Sequence, residues 1–62
     1  MTRSMLVVDD ERITRSHLQM IFGREGFEVV PCESAEDGIR ELMERDFTLV
    51  LCDVKLPGMD GL

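Results

Sequence analysis

Apolar positions recur along this chain at two different periods. Met5-Leu6-Val7-Val8 is an unbroken apolar run closed by Asp9 and Asp10. Continuous rather than alternating apolarity predicts a strand covered on both faces. Ile13, His17, Leu18, Ile21 and Phe22 then fall on one helical stripe. Gly23 and Gly26 are both candidate stops for that helix. Phe27-Glu28-Val29-Val30 predicts a second strand, and Pro31 removes a ladder donor at its end. Ser34 is placed to cap a second helix, with Glu36 and Asp37 setting negative charge against its first N–H groups. Ala35, Gly38, Ile39, Leu42 and Met43 keep the helical period through it. Phe47-Thr48-Leu49-Val50-Leu51-Cys52 predicts a third, almost wholly apolar strand closed by Asp53, and Lys55 to Gly61 reads as a turn-rich loop.

The order β-α-β-α-β builds a doubly wound α/β architecture: a parallel sheet with right-handed crossovers. The second strand carries Glu28 and Pro31 and suits an edge, whereas the first and third are apolar throughout and suit the interior. Strand order 2-1-3 follows, with the two helices on opposite faces. Strands 2 and 3 then lie roughly 9.6 Å apart, two strand spacings. That keeps Cys32 and Cys52 beyond the ~7 Å Cα separation a disulfide needs. An apolar third strand with a bare edge would be a pairing site. Residues 1–62 therefore read as the N-terminal half of a larger domain, truncated to β-α-β-α-β.

Charge and composition narrow the function classes. Thirteen acidic against seven basic residues give a net charge of −6. No basic patch is left to release counterions, which argues against direct binding to nucleic acid or to an anionic membrane. Trp and Tyr are absent and the three Phe are scattered, so stacking on bases is not suggested. The Met5–Val8 run is too short for a membrane span or a signal-peptide core. Two cysteines without an export signal, a CxxC motif or a paired His read as reduced thiols of a cytoplasmic protein, not as a zinc site.

The acids are the candidate chemistry. Strands of a parallel sheet all end on one side, so Asp9 and Asp10 after strand 1 and Asp53 after strand 3 meet at the topological switch point, where open α/β sheets bind ligands. Three carboxylates so close repel one another, which raises a pKa or demands a cation. A hard, oxygen-seeking ion such as Mg²⁺ answers that demand. A single Asp after a strand is more often a turn former or helix cap, and Asp10 could cap the first helix in that way.

Leu6-Val7-Val8-Asp9-Asp10-Glu11, followed by Leu51-Cys52-Asp53-Val54-Lys55-Leu56-Pro57-Gly58-Met59-Asp60-Gly61, resembles the receiver domain of two-component response regulators. Gly26-Phe27-Glu28-Val29-Val30 and Ala35…Gly38 also match its pattern, so the likeness covers essentially the whole chain. The resemblance implies a flavodoxin-like fold and a phosphorelay module in signal transduction rather than a dedicated enzyme. It implies that Asp53 is the phosphoacceptor, forming an aspartyl phosphate with a phosphoryl group from a sensor histidine kinase. It also implies Mg²⁺ held by Asp10 directly, by Asp9 through water, by Asp53, and by the backbone carbonyl of Lys55. Pro57 and Gly58 would shape the loop, and Gly61 would let it turn into a further helix. A Ser or Thr after strand 4, a Lys after strand 5 and the output surface belong to the family's second half. Lys55 is not that lysine, since it follows Asp53 by two residues.

Competing readings stay open on the residues alone. One is an α/β enzyme of the phosphatase type with an Asp nucleophile, although Asp53-Val54-Lys55 lacks the second acid of Asp-x-Asp. Another is a non-signalling fragment that forms a homodimer through its strand-3 edge. His17 sits on the apolar stripe and reads as a packed or boundary residue, and Met43 as core. Arg40–Glu44 and Glu41–Arg45 are spaced to pair on the outer face of the second helix.

Overall fold

The computed structural model describes residues 3–53, so the predicted Lys55–Gly61 loop lies outside the described residues. Strand β1 (Arg3–Val8) leads through α1 (Arg12–Arg24) to β2 (Phe27–Cys32), then through α2 (Ala35–Glu44) to β3 (Leu49–Cys52). The sheet order is β2-β1-β3, as the pattern predicts. Both pairings are parallel, running from Arg3 opposite Phe27 to Val8 opposite Cys32, and from Met5 opposite Leu49 to Val8 opposite Cys52. Pro31 is carried within β2 rather than ending it, which a strand at the sheet's edge tolerates. No helix among the described residues is long and apolar enough to cross a membrane.

β1 is the core. Met5, Leu6 and Val7 are each under 2% exposed, and Val8 is nearly as well buried. Successive side chains of a strand point to opposite faces. Leu6 and Val8 meet Cys32, Val30, Phe47 and the buried Gly38 of α2 on one face. Val7 shares a cleft with Leu18 of α1.

The helices begin and end for local reasons. Ser34 Oγ accepts from the Asp37 amide at 3.2 Å, capping α2 as predicted. At the end of α1 the amides of Glu25 and Gly26 donate to the carbonyls of Phe22 and Gly23, each at 3.1 Å. Gly26 has φ +94°, the left-handed conformation that glycine adopts without strain.

Two expectations of burial fail. On α1, Leu18 and Phe22 are half-buried, but Ile13 is 78% exposed and His17 is exposed. Phe22 meets Phe27 edge-to-face at 6.1 Å and 88°, which sets the helix rotation around that contact and turns Ile13 and His17 outward. On α2, Gly38 is the point of closest approach to the sheet. Ile39 and Met43 lie about 100° and 140° around the axis from it, and Met43 is 82% exposed. β3 has the bare edge expected of it: its residues are exposed, and among the described residues β1 alone pairs with it. On the outer face of α2, Arg45 pairs with Glu41 at 3.7 Å as spaced, and also with Glu28 at 3.3 Å. Arg40 turns back to Asp37 at 3.8 Å instead of reaching Glu44.

Gly38 tests the α2 seat. A Cβ there would stand 2.7 Å from Val8 Cγ2, and Val8 is a β-branched residue with little rotamer freedom. Gly38→Ala gains helix propensity of up to about 1 kcal/mol but overpacks a site where that costs about 1–3 kcal/mol. The expected net effect is a loss of about 1–2 kcal/mol in urea unfolding. Combining it with Val8→Ala should destabilise by less than the sum of the two single changes.

Both cysteines are free, Cys32 buried and Cys52 exposed. Burial above all, then the carboxylates of Glu41 and Asp37, pushes the Cys32 thiol up, against an opposing pull from Arg15. Folding therefore holds the Cys32 proton more tightly than the unfolded chain does. That stability is complete below the ordinary thiol value of about 8.5 and is lost as pH rises through the raised one. Iodoacetamide should modify Cys52 first and reach Cys32 only on unfolding, and peptide mass mapping would reveal equal labelling if this is wrong.

Candidate functional site

The acids sit where the central ladders run out. The Asp9 amide donates to the Cys32 carbonyl at 3.0 Å, and the Asp53 amide donates to the Val8 carbonyl at 2.9 Å. Each ladder thus continues one residue past its strand and fixes Asp9 and Asp53 at the same end of adjoining strands. Asp9 is buried, while Asp10 and Asp53 are exposed.

Asp9 is held by both its side chain and its main chain. Its Oδ1 accepts from the Glu11 amide at 2.8 Å, a local turn closed two residues on. Its carbonyl accepts from Arg15 Nη1, also at 2.8 Å. The turn delivers Glu11, in extended conformation, to the N-cap position of α1, where its carbonyl takes the Arg15 amide at 3.0 Å. Glu11's side chain makes no capping bond. Asp10, a candidate cap for α1, is not the capping residue: Glu11 holds the N-cap position, and Asp9 closes the turn before it.

This geometry gathers the carboxylates of Asp9, Asp10 and Glu11, each offering an oxygen within 4.8 Å of the others. The donor set is anionic and all oxygen, the kind that suits hard divalent cations over soft ones. Glu11 was not singled out from sequence, although its place directly after the double acid was a visible signal. The Asp53 carboxylate is not part of that group. It joins Asp9 in lining a cleft of about 280 Å³, walled by Val7, Val8, Leu18, Leu51 and Cys52. Lys55 lies outside the described residues.

The arrangement offers a cluster of negative charge beside an open, partly apolar cleft that Asp53 also lines. It can attract a cation and present a carboxylate oxygen to an electrophile.

Comparison with known proteins agrees with this frame. Residues 5–62 match the model of the response regulator receiver domain. The chain is 39% identical over 61 residues to the aerobic respiration control protein ArcA of Escherichia coli, covering 98% of this chain and 26% of that protein. It is 43% identical over 60 residues to the transcriptional activator PfeR of Pseudomonas aeruginosa, covering 97% of this chain and 19% of that protein. Identity to the transcriptional regulatory protein AfsQ1 of Streptomyces coelicolor is 38% over 58 residues, covering 94% and 26%. The chain thus spans about a quarter or less of the length of these relatives. No solved structure gives a significant match. With its three parallel strands in order 2-1-3, its two helices and its acids at the strand ends, the chain belongs to the response regulator receiver domain family.

Proposed function

We propose that the chain is the N-terminal half of a receiver domain and carries its phosphoacceptor, Asp53. The observation that carries this reading is the Asp53 amide bonded to Val8, which sets Asp53 beside Asp9 on one cleft. In the proposed step a carboxylate oxygen of Asp53 forms the new bond to phosphorus. The P–N bond to a kinase histidine breaks, its electron pair leaves with the imidazole, and the product is an acyl phosphate. The chain works in the cytoplasm; the partner supplying the phosphoryl group is a sensor histidine kinase, and an output domain or effector reads the result.

Asp10 and Asp9 are the residues that would hold Mg²⁺, together with Asp53 and the Lys55 carbonyl. The all-oxygen donor set around Asp9 supports that choice of ion. When bound, Mg²⁺ neutralises charge so that an anionic nucleophile can meet an anionic phosphoryl group. Asp9 orients the acid turn through its bond to the Glu11 amide. Val7, Leu18 and Leu51 give the cleft an apolar wall.

Acetyl phosphate with Mg²⁺ should add one phosphoryl group, found by intact mass and lost in Asp53→Asn. Asp10→Asn should weaken the Mg²⁺ dependence of that labelling at least tenfold. A phosphoryl group that persists in Asp53→Asn would overturn the assignment.

A second reading concerns assembly, and the exposure of Leu49, Val50 and Leu51 on an edge strand favours it. The outer polar groups of β3 could be satisfied by a second copy in an antiparallel, two-fold pairing. Sedimentation velocity over a hundredfold concentration range should then show a monomer–dimer equilibrium, abolished by Val50→Lys. A concentration-independent monomer would exclude the pairing.

A further inference from the structure

We infer that Arg15 is a positioning residue for the acid turn, setting the geometry of Asp9, Asp10 and Glu11 without touching either the cation or the phosphoryl group. This inference rests on the proposed Mg²⁺ site. Arg15 lies one turn into α1, is half-buried, and donates from Nη1 to the Asp9 carbonyl at 2.8 Å. That carbonyl is the first after β1. The Val8 carbonyl takes the Asp53 amide, and the Asp9 amide is given to Cys32. A carbonyl at a buried residue needs a partner, and a guanidinium makes a stronger bond than a neutral donor would.

The turn is therefore gripped at three points. The Asp9 amide is fixed to β2, its carboxylate to the Glu11 amide, and its carbonyl to Arg15. Arg15 is also tied back into the turn by its own amide, which donates to the Glu11 carbonyl at 3.0 Å. One residue thus bonds both ends of the Asp9–Glu11 segment, through its side chain at one end and its main chain at the other. The side-chain bond is the one a substitution can remove while leaving the helix intact.

Charge and positioning make opposite predictions, which separates them. Arg15 brings a positive charge to the turn that carries three carboxylates, so on electrostatics alone its removal should tighten binding of a divalent cation. If its bond to the Asp9 carbonyl holds the turn in register, removal should weaken that binding, as loss of groups that orient ligands does by about 10–100-fold.

The test compares the full chain with Arg15→Met, which keeps an apolar stem, and Arg15→Lys, which keeps charge and one donor. In metal-free protein, Arg15→Met should move the Asp9 carbonyl carbon resonance and the Asp10 and Glu11 amides, while the amides of β2 stay in place. Mg²⁺ titration followed by NMR should show affinity falling about tenfold or more in Arg15→Met and largely recovered in Arg15→Lys. Unmoved Asp9 and Asp10 signals, or Mg²⁺ binding that is unchanged or tighter in Arg15→Met, would overturn the inference while leaving the proposed site standing. Failure of the unsubstituted chain to bind Mg²⁺ near Asp10 would instead overturn the site itself, with the carbonyl resonance still deciding whether Arg15 holds the turn. If Arg15→Met spreads its shifts over β2 and α2, Arg15→Lys alone decides: near-native affinity supports the inference and a tenfold loss opposes it.

Discussion

Every part of this structure hangs on a single strand hydrogen-bonded on both sides. β1 is the only described strand with two neighbours, and it contributes most of the fully buried side chains. Its two faces supply the contact for α2 through Leu6 and Val8 and for α1 through Val7. Each fully buried aliphatic side chain contributes about 1.5–3 kcal/mol, so the short run from Met5 to Val8 outweighs any other stretch. The strand also fixes position. Because both ladders run one residue past β1, the acids that follow it start from a rigid base rather than from a loop of undefined course.

How much of this was legible depended on whether a feature is local. The strand order followed from Pro31 and Glu28 marking β2 as an edge and from apolar continuity in β1, both properties of the strands themselves. The Ser34 cap and the Gly26 turn were legible for the same reason: the chemistry acts within four residues. Helix rotation was not. Ile13, His17, Ile21, Ile39 and Met43 all obey helical spacing, yet which side of a broad apolar stripe meets the sheet is decided by a distant contact, Phe22 against Phe27 in α1 and Gly38 against Val8 in α2. Periodicity reports that a face is apolar and leaves open what covers it. β3 is the converse: the order 2-1-3 already leaves it a single described neighbour, and its exposure follows from that.

The site was legible as a set of residue types and less so as a set of bonds. Asp9, Asp10 and Asp53 stood out because acids terminate two apolar runs, and parallel topology fixes where runs terminate. Sequence could not show which acid closes the turn, because Asp9 and Asp10 are chemically identical neighbours. The structure distinguishes them by burial: Asp9, drawn into the core by the end of β1, must satisfy its carboxylate internally and does so on the Glu11 amide. Glu11 then joins the cluster as a consequence of that turn. Arg15 carried no sequence signal at all, since a cation on a helix four residues after an acid is a common surface pattern.

That division between Asp9 and Asp10 has a physical logic for the proposed chemistry. Asp9 is buried, and a buried carboxylate left unpaired would cost several kcal/mol. Its fixed hydrogen bond offsets that cost and makes Asp9 rigid, but it also commits one oxygen. Asp10 and Asp53 are exposed, so a cation or an electrophile can approach them from solvent. A site that must admit a charged group repeatedly needs both kinds of acid: one held so that the geometry persists, and others open enough to react. The step from Asp9 to Asp10 crosses that boundary within a single peptide bond, and the buried end of β1 is what makes so sharp a change of environment sustainable.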